Sequence, residues 1–471
     1  MWVTTLNLSE TSTFYMKINQ ARIRTFLSAD DYYTERKIPL VSSSPSSTCN
    51  NNNSENEKQQ QFANRALLIS SFTDGVAPAA APAQQFLKTS LISTLANDAL
   101  EQVEGLVETS AVQSPCCGPD LEAVTMMEDL QDAITDLNQS EREAESVTEL
   151  VSEKSDLLLK DILQHVSASN SMIIEDTTDD SAGVADDDTN GGAAAPVTVR
   201  LLYIPTAMYA LRAGSSSTPG KQRQRARYDA KQRRKQLEDF LYDMLGEHTA
   251  QDPSSSSTSS HSDDDDDDDS AVSVNVLAVT LDLDDGSIKQ PVGSEDSNDF
   301  PKDGGEALTD WSPHMIYIEG GNTFWLHHCM TKGEWADKIV AACSGPSGAV
   351  YCGKSAGAII AGKHVETATW KQMDDPSVVP GMEEYEDWAG VSGLSLCGDL
   401  SIFPHMASKW EDLVEEKQKD IDDSAVLLTD WDVCCISGDT KEATFIGIES
   451  SPGASSSATE TGMTNHEPVQ A

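Results

Sequence analysis

The stretch Tyr351-Cys352-Gly353-Lys354-Ser355-Ala356-Gly357-Ala358, continued by Ile359-Ile360-Ala361-Gly362, decides how the chain is read. An apolar run, expected as a strand over Gly348 to Cys352, breaks at Gly-x-Ser-x-Gly and resumes as small residues that suit a helix. A strand, a sharp turn and a helix in that order expose a serine hydroxyl at the rim of a sheet. Ser355 is therefore the candidate nucleophile. Glycines flank it because the turn crowds the backbone, and the helix behind it offers unpaired amides to an oxygen gaining negative charge. The alternative is a chance Gly-x-Ser-x-Gly in a glycine-containing loop, against which the preceding strand and following helix both argue.

Upstream, Ala66-Leu67-Leu68-Ile69-Ser70 is the first convincing strand. Phe86, Leu87, Leu91, Leu95, Leu100, Val103 and Leu106 then recur at helical spacing, which makes a first βα unit. Val197 to Ile204 resumes the pattern and is closed by Pro205-Thr206. Next comes a helix with eight basic residues between Lys221 and Lys235, an apolar face from Leu237 to Leu245, and Gly246 as its stop. Val272 to Leu281 is a strand. Met315-Ile316-Tyr317-Ile318 is a shorter one that runs into Glu319-Gly320-Gly321-Asn322-Thr323-Phe324. Asn322 stands where a helix N-cap belongs. This loop lies at the carboxyl edge of the sheet, where α/β ligand sites gather, and Gly320 or Gly321 can bring an amide close to a substrate. A capping turn without a ligand is the alternative.

Beyond the serine, Leu400-Ser401-Ile402-Phe403-Pro404-His405 puts an imidazole directly after a strand. A base for Ser355 has to stand at that sheet edge, although a lone histidine also suits a structural role. Val426 to Leu428, Val433 to Ile436 and Thr444 to Ile448 are expected to complete the sheet as short strands.

The chain has 471 residues, 38% of them hydrophobic and 6% aromatic, with a formal charge of −46, which argues that much of it lies outside a packed core. Such acidity works against nucleic acid or an anionic membrane as a partner. The basic cluster at 221–235 invites a nucleic-acid reading, but it shares a helix with an ordinary buried face and precedes seven consecutive aspartates, Asp263 to Asp269. Two acidic amphipathic helices, Leu121 to Leu137 and Val147 to Ile162, read as an insertion laid over the domain or as a partner-binding element. The expected plan is a disordered leader at 1–63, an α/β domain at 64–450 and a disordered tail at 451–471. Within the domain, insertions are expected at about 110–195 (acidic, partly helical) and 247–271 (Ser/Asp-rich).

Nine cysteines lack a regular framework, and Cys116-Cys117 and Cys434-Cys435 are adjacent, so a reducing compartment is expected. Cys352, Cys434 and Cys435 read as small buried hydrophobes. No Cys/His group has zinc spacing, so neither a metal nor an organic cofactor is expected. No run approaches the ~20 apolar residues of a membrane span. The first thirty residues lack the apolar core of a secretory signal, which points to the cytoplasm, with an organellar transit segment as the alternative.

Three elements together resemble the peptidase E family of serine peptidases, family S51, which holds the aspartyl dipeptidases and the related cyanophycinases. They are the strand followed by Gly-Gly-Asn-Thr-Phe at 320–324, Gly-Lys-Ser-Ala-Gly-Ala at 353–358, and Pro-His at 404–405. The resemblance runs from about Ala66 to Ile448. It implies an α/β fold with a mostly parallel sheet flanked by helices, a three-layer arrangement like that of class I glutamine amidotransferases. It also implies a serine-type peptidase acting on short peptides, with an acidic first residue in the dipeptidase branch. By the same resemblance Ser355 is the nucleophile, His405 the general base, and the amides of Gly321 and Ala356 the oxyanion hole, with Gly320 and Asn322 beside the substrate. An α/β-hydrolase esterase competes for Gly-x-Ser-x-Gly, but it places its histidine much further along and lacks the upstream Gly-Gly-Asn-Thr-Phe.

The chain departs from the family pattern twice. Trp370 stands where the dipeptidases carry their acid, which leaves Asp374, Asp375 and Asp430 as substitutes, Asp430 preferred. No arginine follows Arg234 to bind an acidic side chain. Lys354, Lys363, Lys371 and Lys409 remain, of which Lys354, beside the nucleophile, is the first choice. The function from another class is a catalytically impaired binding or scaffold protein that acts through the acidic helices. The oligomeric state is open.

Overall fold

A computed structural model of the chain describes residues 33–39, 65–70, 81–113, 121–143, 153–177, 195–211, 216–246, 272–291, 299–419, 421, 424–437 and 442–448. The leader up to residue 32, Cys116-Cys117, the Ser/Asp-rich tract and the tail beyond 448 lie outside the described residues. Two units divide the chain, residues 35–446 and residues 1–34 with 447–471. The account below concerns the first.

Eleven strands are described: β1 (Tyr33–Pro39), β2 (Arg65–Ile69), β3 (Val197–Ile204), β4 (Val274–Asp282), β5 (Ser287–Lys289), β6 (Met315–Ile318), β7 (Val350–Lys354), β8 (Leu400–Phe403), β9 (Ser424–Leu427), β10 (Val433–Ser437) and β11 (Glu442–Ile448). Nine form one sheet in the order β1-β11-β10-β2-β7-β6-β3-β4-β5. Its centre, β2-β7-β6-β3-β4, is parallel, and β10 and β5 join antiparallel on either side. Parallel strands are covered on both faces and so read as nearly continuous apolar runs, as Val197–Ile204 does.

Side chains two apart share a face. Leu68, Leu202, Leu281, Ile318 and Tyr351 share one core with helices Thr323–Lys332, Trp335–Ala342 and Ala356–Ala361. Elsewhere Tyr203 and Tyr317 stack at 5.7 Å, and Arg234 of helix Pro219–Gly246 bonds to Thr280 of β4 (3.1 Å). Helices Leu121–Glu143 and Glu153–Thr177 pack on helix Ala81–Gln113 and bury Leu130, Ile134, Leu159 and Ile162. The second of them runs on to Thr177, past the last residue of its expected apolar spacing. Among the described residues no helix is long and apolar enough to cross a membrane.

One expectation needs correcting. Val426 to Leu428 does not complete the main sheet: β9 pairs in parallel with β8 in a separate two-stranded sheet. The pair's side chains are divided between two cores, Ile402 and Val426 joining the main one while Phe403 packs with Trp370 and Val414 in a satellite. That satellite carries the histidine turn.

Candidate active site

Ser355 is held from both sides by its own backbone. Its N–H donates to Ile69 O of β2 (2.9 Å), and its carbonyl accepts from Ile359 N in the following helix (2.9 Å). Between these bonds it adopts φ 48° and ψ −105°. Such a conformation costs a non-glycine residue about 1–3 kcal/mol and persists where the surroundings impose it. Gly357 shows how close those surroundings come: a Cβ there would stand 2.2 Å from Ile318 O of β6. The helix can back onto the sheet at that point only without a side chain.

His405 arrives from β8, also at positive φ (55°). Its N–H donates to Ser70 Oγ (2.9 Å), and that hydroxyl donates to Leu428 O (2.8 Å). Buried Ser70, at the end of β2, thus ties the histidine turn to the segment leading to Asp430. His405 Nε2 lies 2.9 Å from Ser355 Oγ, and Nδ1 lies 2.6 Å from Asp430 Oδ1. Asp430 occupies the loop between β9 and β10, where Asp432 Oδ2 accepts from Thr429 N (2.8 Å) and shapes the turn. With Nδ1–H donated to the carboxylate, the Nε2 lone pair faces the serine hydroxyl. A proton leaving Ser355 during attack on a carbonyl has an acceptor in place, and that acceptor can return it to a leaving amine.

The other two candidate acids are engaged elsewhere. Asp374 Oδ2 accepts from Thr323 N (2.8 Å) at the start of the Thr323–Lys332 helix. Burial pushes its carboxyl up, and that amide works in the opposite direction. Asp375 Oδ1 accepts from Ser377 N and Oγ and caps the turn at Pro376–Val378. Trp370, in place of the family acid, is buried and lies 5.3 Å from the Phe403 ring, beneath the histidine turn.

The model of peptidase family S51 matches residues 302–435. This stretch is similar to peptidase family S51. It takes in the Gly-Gly-Asn-Thr-Phe turn, Ser355, His405 and Asp430, while β2, β3 and β4 lie outside it. Six solved chains match the protein. One is a crystal structure from Listeria monocytogenes EGD-e of a protein provisionally assigned as a peptidase E. It is 16% identical, with 54% of this chain and 85% of that chain covered, and a TM-score of 0.28. A superposition that loose transfers no residue. No curated protein matches the chain.

Within the matched stretch, three residues expected to meet the substrate have other partners. Asn322 donates from N to Ala207 O and from Nδ2 to Asp375 O, and its Oδ1 accepts from Trp325 N, so it caps a helix and braces a loop. Gly320 N donates to Glu319 Oε1 (3.1 Å). Lys354 has its ammonium 2.8 Å from Glu319 Oε1 with 12% of its side chain exposed, so its charge is already answered inside the protein. Gly321 sits at φ 151°, with a would-be Cβ 2.3 Å from Ala207 O, an approach open to glycine alone. Ala356 opens the helix after the serine, in the turn whose amides have no carbonyl one turn earlier in that helix.

Four contributors take parts that a reading of the sequence does not give them. Ser70 and Glu319 are buried polar residues at strand ends, and nothing local marks them. Lys371 donates to the carbonyls of Pro404 and His405 and lies 4.1 Å above the Phe403 ring. Burial brings its ammonium down to about 8, against the pull of Asp430. The fourth is Arg225. A cavity of about 1000 Å³ opens beside Gly320 and Gly321, and helix Pro219–Gly246 lines it with Lys221, Arg225 and Asp229. Arg225 thus brings an arginine to this cavity from earlier in the chain than Ser355. Four others of the basic cluster meet acids: Arg227 faces Asp282, Arg233 faces Glu319, Arg234 faces Glu238 and Lys235 faces Asp239. Among the described residues no group of three or more His, Cys, Asp or Glu is arranged to hold a metal.

Proposed function

We propose that the protein is a serine-type peptidase that hydrolyses short peptides through Ser355, His405 and Asp430. The observation that carries this reading is the continuous path from Ser355 Oγ to His405 Nε2 (2.9 Å) and from Nδ1 to Asp430 Oδ1 (2.6 Å). Ser355 attacks the peptide carbonyl as His405 takes its proton, and the amides of Gly321 and Ala356 receive the oxyanion. His405 returns the proton to the leaving amine, and water then resolves the acyl-enzyme by the same route. The cavity beside Gly320 suits a small substrate. Its wall carries Lys221 and Arg225, cations for a carboxylate, and Asp229, Asp374 and Asp375, acids for a free amino group.

The test is hydrolysis of Asp-X, Glu-X, Asn-X, Ala-X and isoaspartyl dipeptides by wild type and Ser355→Ala. Turnover of at least one peptide, lost by about 10³-fold or more in Ser355→Ala, is the expected result. A folded wild type that turns over none of them, and resists a serine-directed phosphonate, would overturn the reading in favour of a binding protein.

A further inference from the structure

In the parallel pair of β6 and β7, Ile318 stands opposite Gly353. One residue further, Glu319 Oε1 lies 2.8 Å from Lys354 Nζ. One residue beyond that the strand ends touch, for a Cβ on Gly320 would stand 3.0 Å from Ser355 Cβ and 3.7 Å from Ser355 Oγ. The ion pair is therefore the last rung of the ladder before the candidate nucleophile.

Glu319 is 2% exposed in its side chain and gathers several elements of the fold. Its Oε2 accepts from Tyr203 Oη of β3 (3.1 Å), and its Oε1 accepts from Gly320 N (3.1 Å). Arg233, on the helix that also walls the cavity, lies 3.7 Å away. A buried carboxylate with this many partners resists displacement, because shifting it leaves charges and donors unpaired in a low dielectric.

We propose that the Glu319–Lys354 pair is a positioning device that sets the gap between the Gly320-Gly321 turn and Ser355, and with it the placing of a bound carbonyl against the nucleophile. It rests on the serine peptidase reading above. Lys354 acts through its neighbour, since its ammonium is turned to Glu319. Misplacement of a reacting group by about 1 Å can cost about 10²-fold in rate, which is the scale this pair controls.

The test compares wild type, Lys354→Met, Lys354→Arg and the double variant Glu319→Gln/Lys354→Met on the best dipeptide of the panel, with phosphonate labelling of Ser355 and thermal melting in parallel. Lys354→Met keeps the length of the side chain and leaves Glu319 with Arg233, Tyr203 and Gly320, so it is expected to fold. Its kcat and labelling rate are expected to fall together by about 5-fold or more with KM changed less than about 3-fold. Lys354→Arg recovers most of the loss, and the double variant is no worse than about 3-fold below Lys354→Met. A smaller loss of kcat, a loss carried by KM, or no recovery by arginine overturns the proposal, even if only Tm falls. If wild type itself neither labels nor turns over peptide, the peptidase reading fails first and the proposal falls with it.

Discussion

His405 Nδ1 stands 2.6 Å from Asp430 Oδ1, yet 59% of the Asp430 side chain is open to solvent. Water can take over part of the work of so exposed an acid. Asp430→Asn is expected to lower kcat by about 10–100-fold, less than the ~10⁴ associated with a buried triad acid. Asp374→Asn provides the contrast. It weakens a helix cap, so it should cost about 1 kcal/mol of stability and leave kcat within about 3-fold. Steady-state kinetics and thermal melts on both variants separate the roles, and the reverse pattern would move the acid to Asp374.

Gly357→Ala sets a methyl group against Ile318 O at a separation of 2.2 Å. Either the helix behind the serine or β6 has to move, so a loss of about 3 kcal/mol or more is expected, together with slower labelling of Ser355. Gly220 lies in the first turn of helix Pro219–Gly246 and a Cβ there meets nothing within 4 Å. Gly220→Ala is expected to be neutral or to gain up to about 1 kcal/mol. Chemical denaturation of the pair reads the difference.

Lys371 gives a pH dependence of determined sign. Its ammonium titrates near 8 in the folded protein, well below the ordinary 10.5, chiefly through burial. Between those values the unfolded chain holds the proton that the folded chain has lost. Stability therefore rises with pH across that window, and below it the full cost of burying the charge is present. Activity should run the other way. Above pH 8 the hydrogen bonds that Lys371 donates to Pro404 O and His405 O weaken, and kcat/KM is expected to fall. Lys371→Arg keeps its charge and should move that alkaline limb upward by about one pH unit or more. An unmoved limb would assign it to the amino group of the substrate.

Arg225 has 86% of its side chain exposed and faces Asp229 at only 4.0 Å, so little stability depends on it. In Lys221→Ala/Arg225→Ala, kcat/KM for Asp-X relative to Ala-X is expected to fall by about 5–10-fold with Tm unchanged. Equal losses on both substrates would remove the cavity wall from acidic recognition.

The parallel sheet and the serine turn were legible in the sequence because period and punctuation coincide there. Apolar runs such as Val197–Ile204 and Met315–Ile318 became strands with those bounds. Asn322 was legible as a cap from its place before a helix, but its bonds to Ala207 O and Asp375 O were not. The cross-chain partners were not legible. The proximity of Glu319 to Lys354, or of Arg225 to Gly321, depends on which strands and helices become neighbours in space, and no spacing in the chain encodes that. The pairing of β8 with β9 escaped for a related reason: short apolar runs announce a strand but not its sheet.

Ser70 joins the histidine turn to the end of β2 across 335 residues, and its hydroxyl reaches Leu428 across 358. Closing a loop of that length costs conformational entropy that two hydrogen bonds alone do not offset, so they depend on the packing of the strands around them. The serine and its base are only 50 residues apart, but the turn that presents the base is tied to a strand from the start of the domain. If the proposed peptidase reading holds, hydrolytic competence depends on this tie, and a chain whose β2 is not docked lacks the support of its histidine turn.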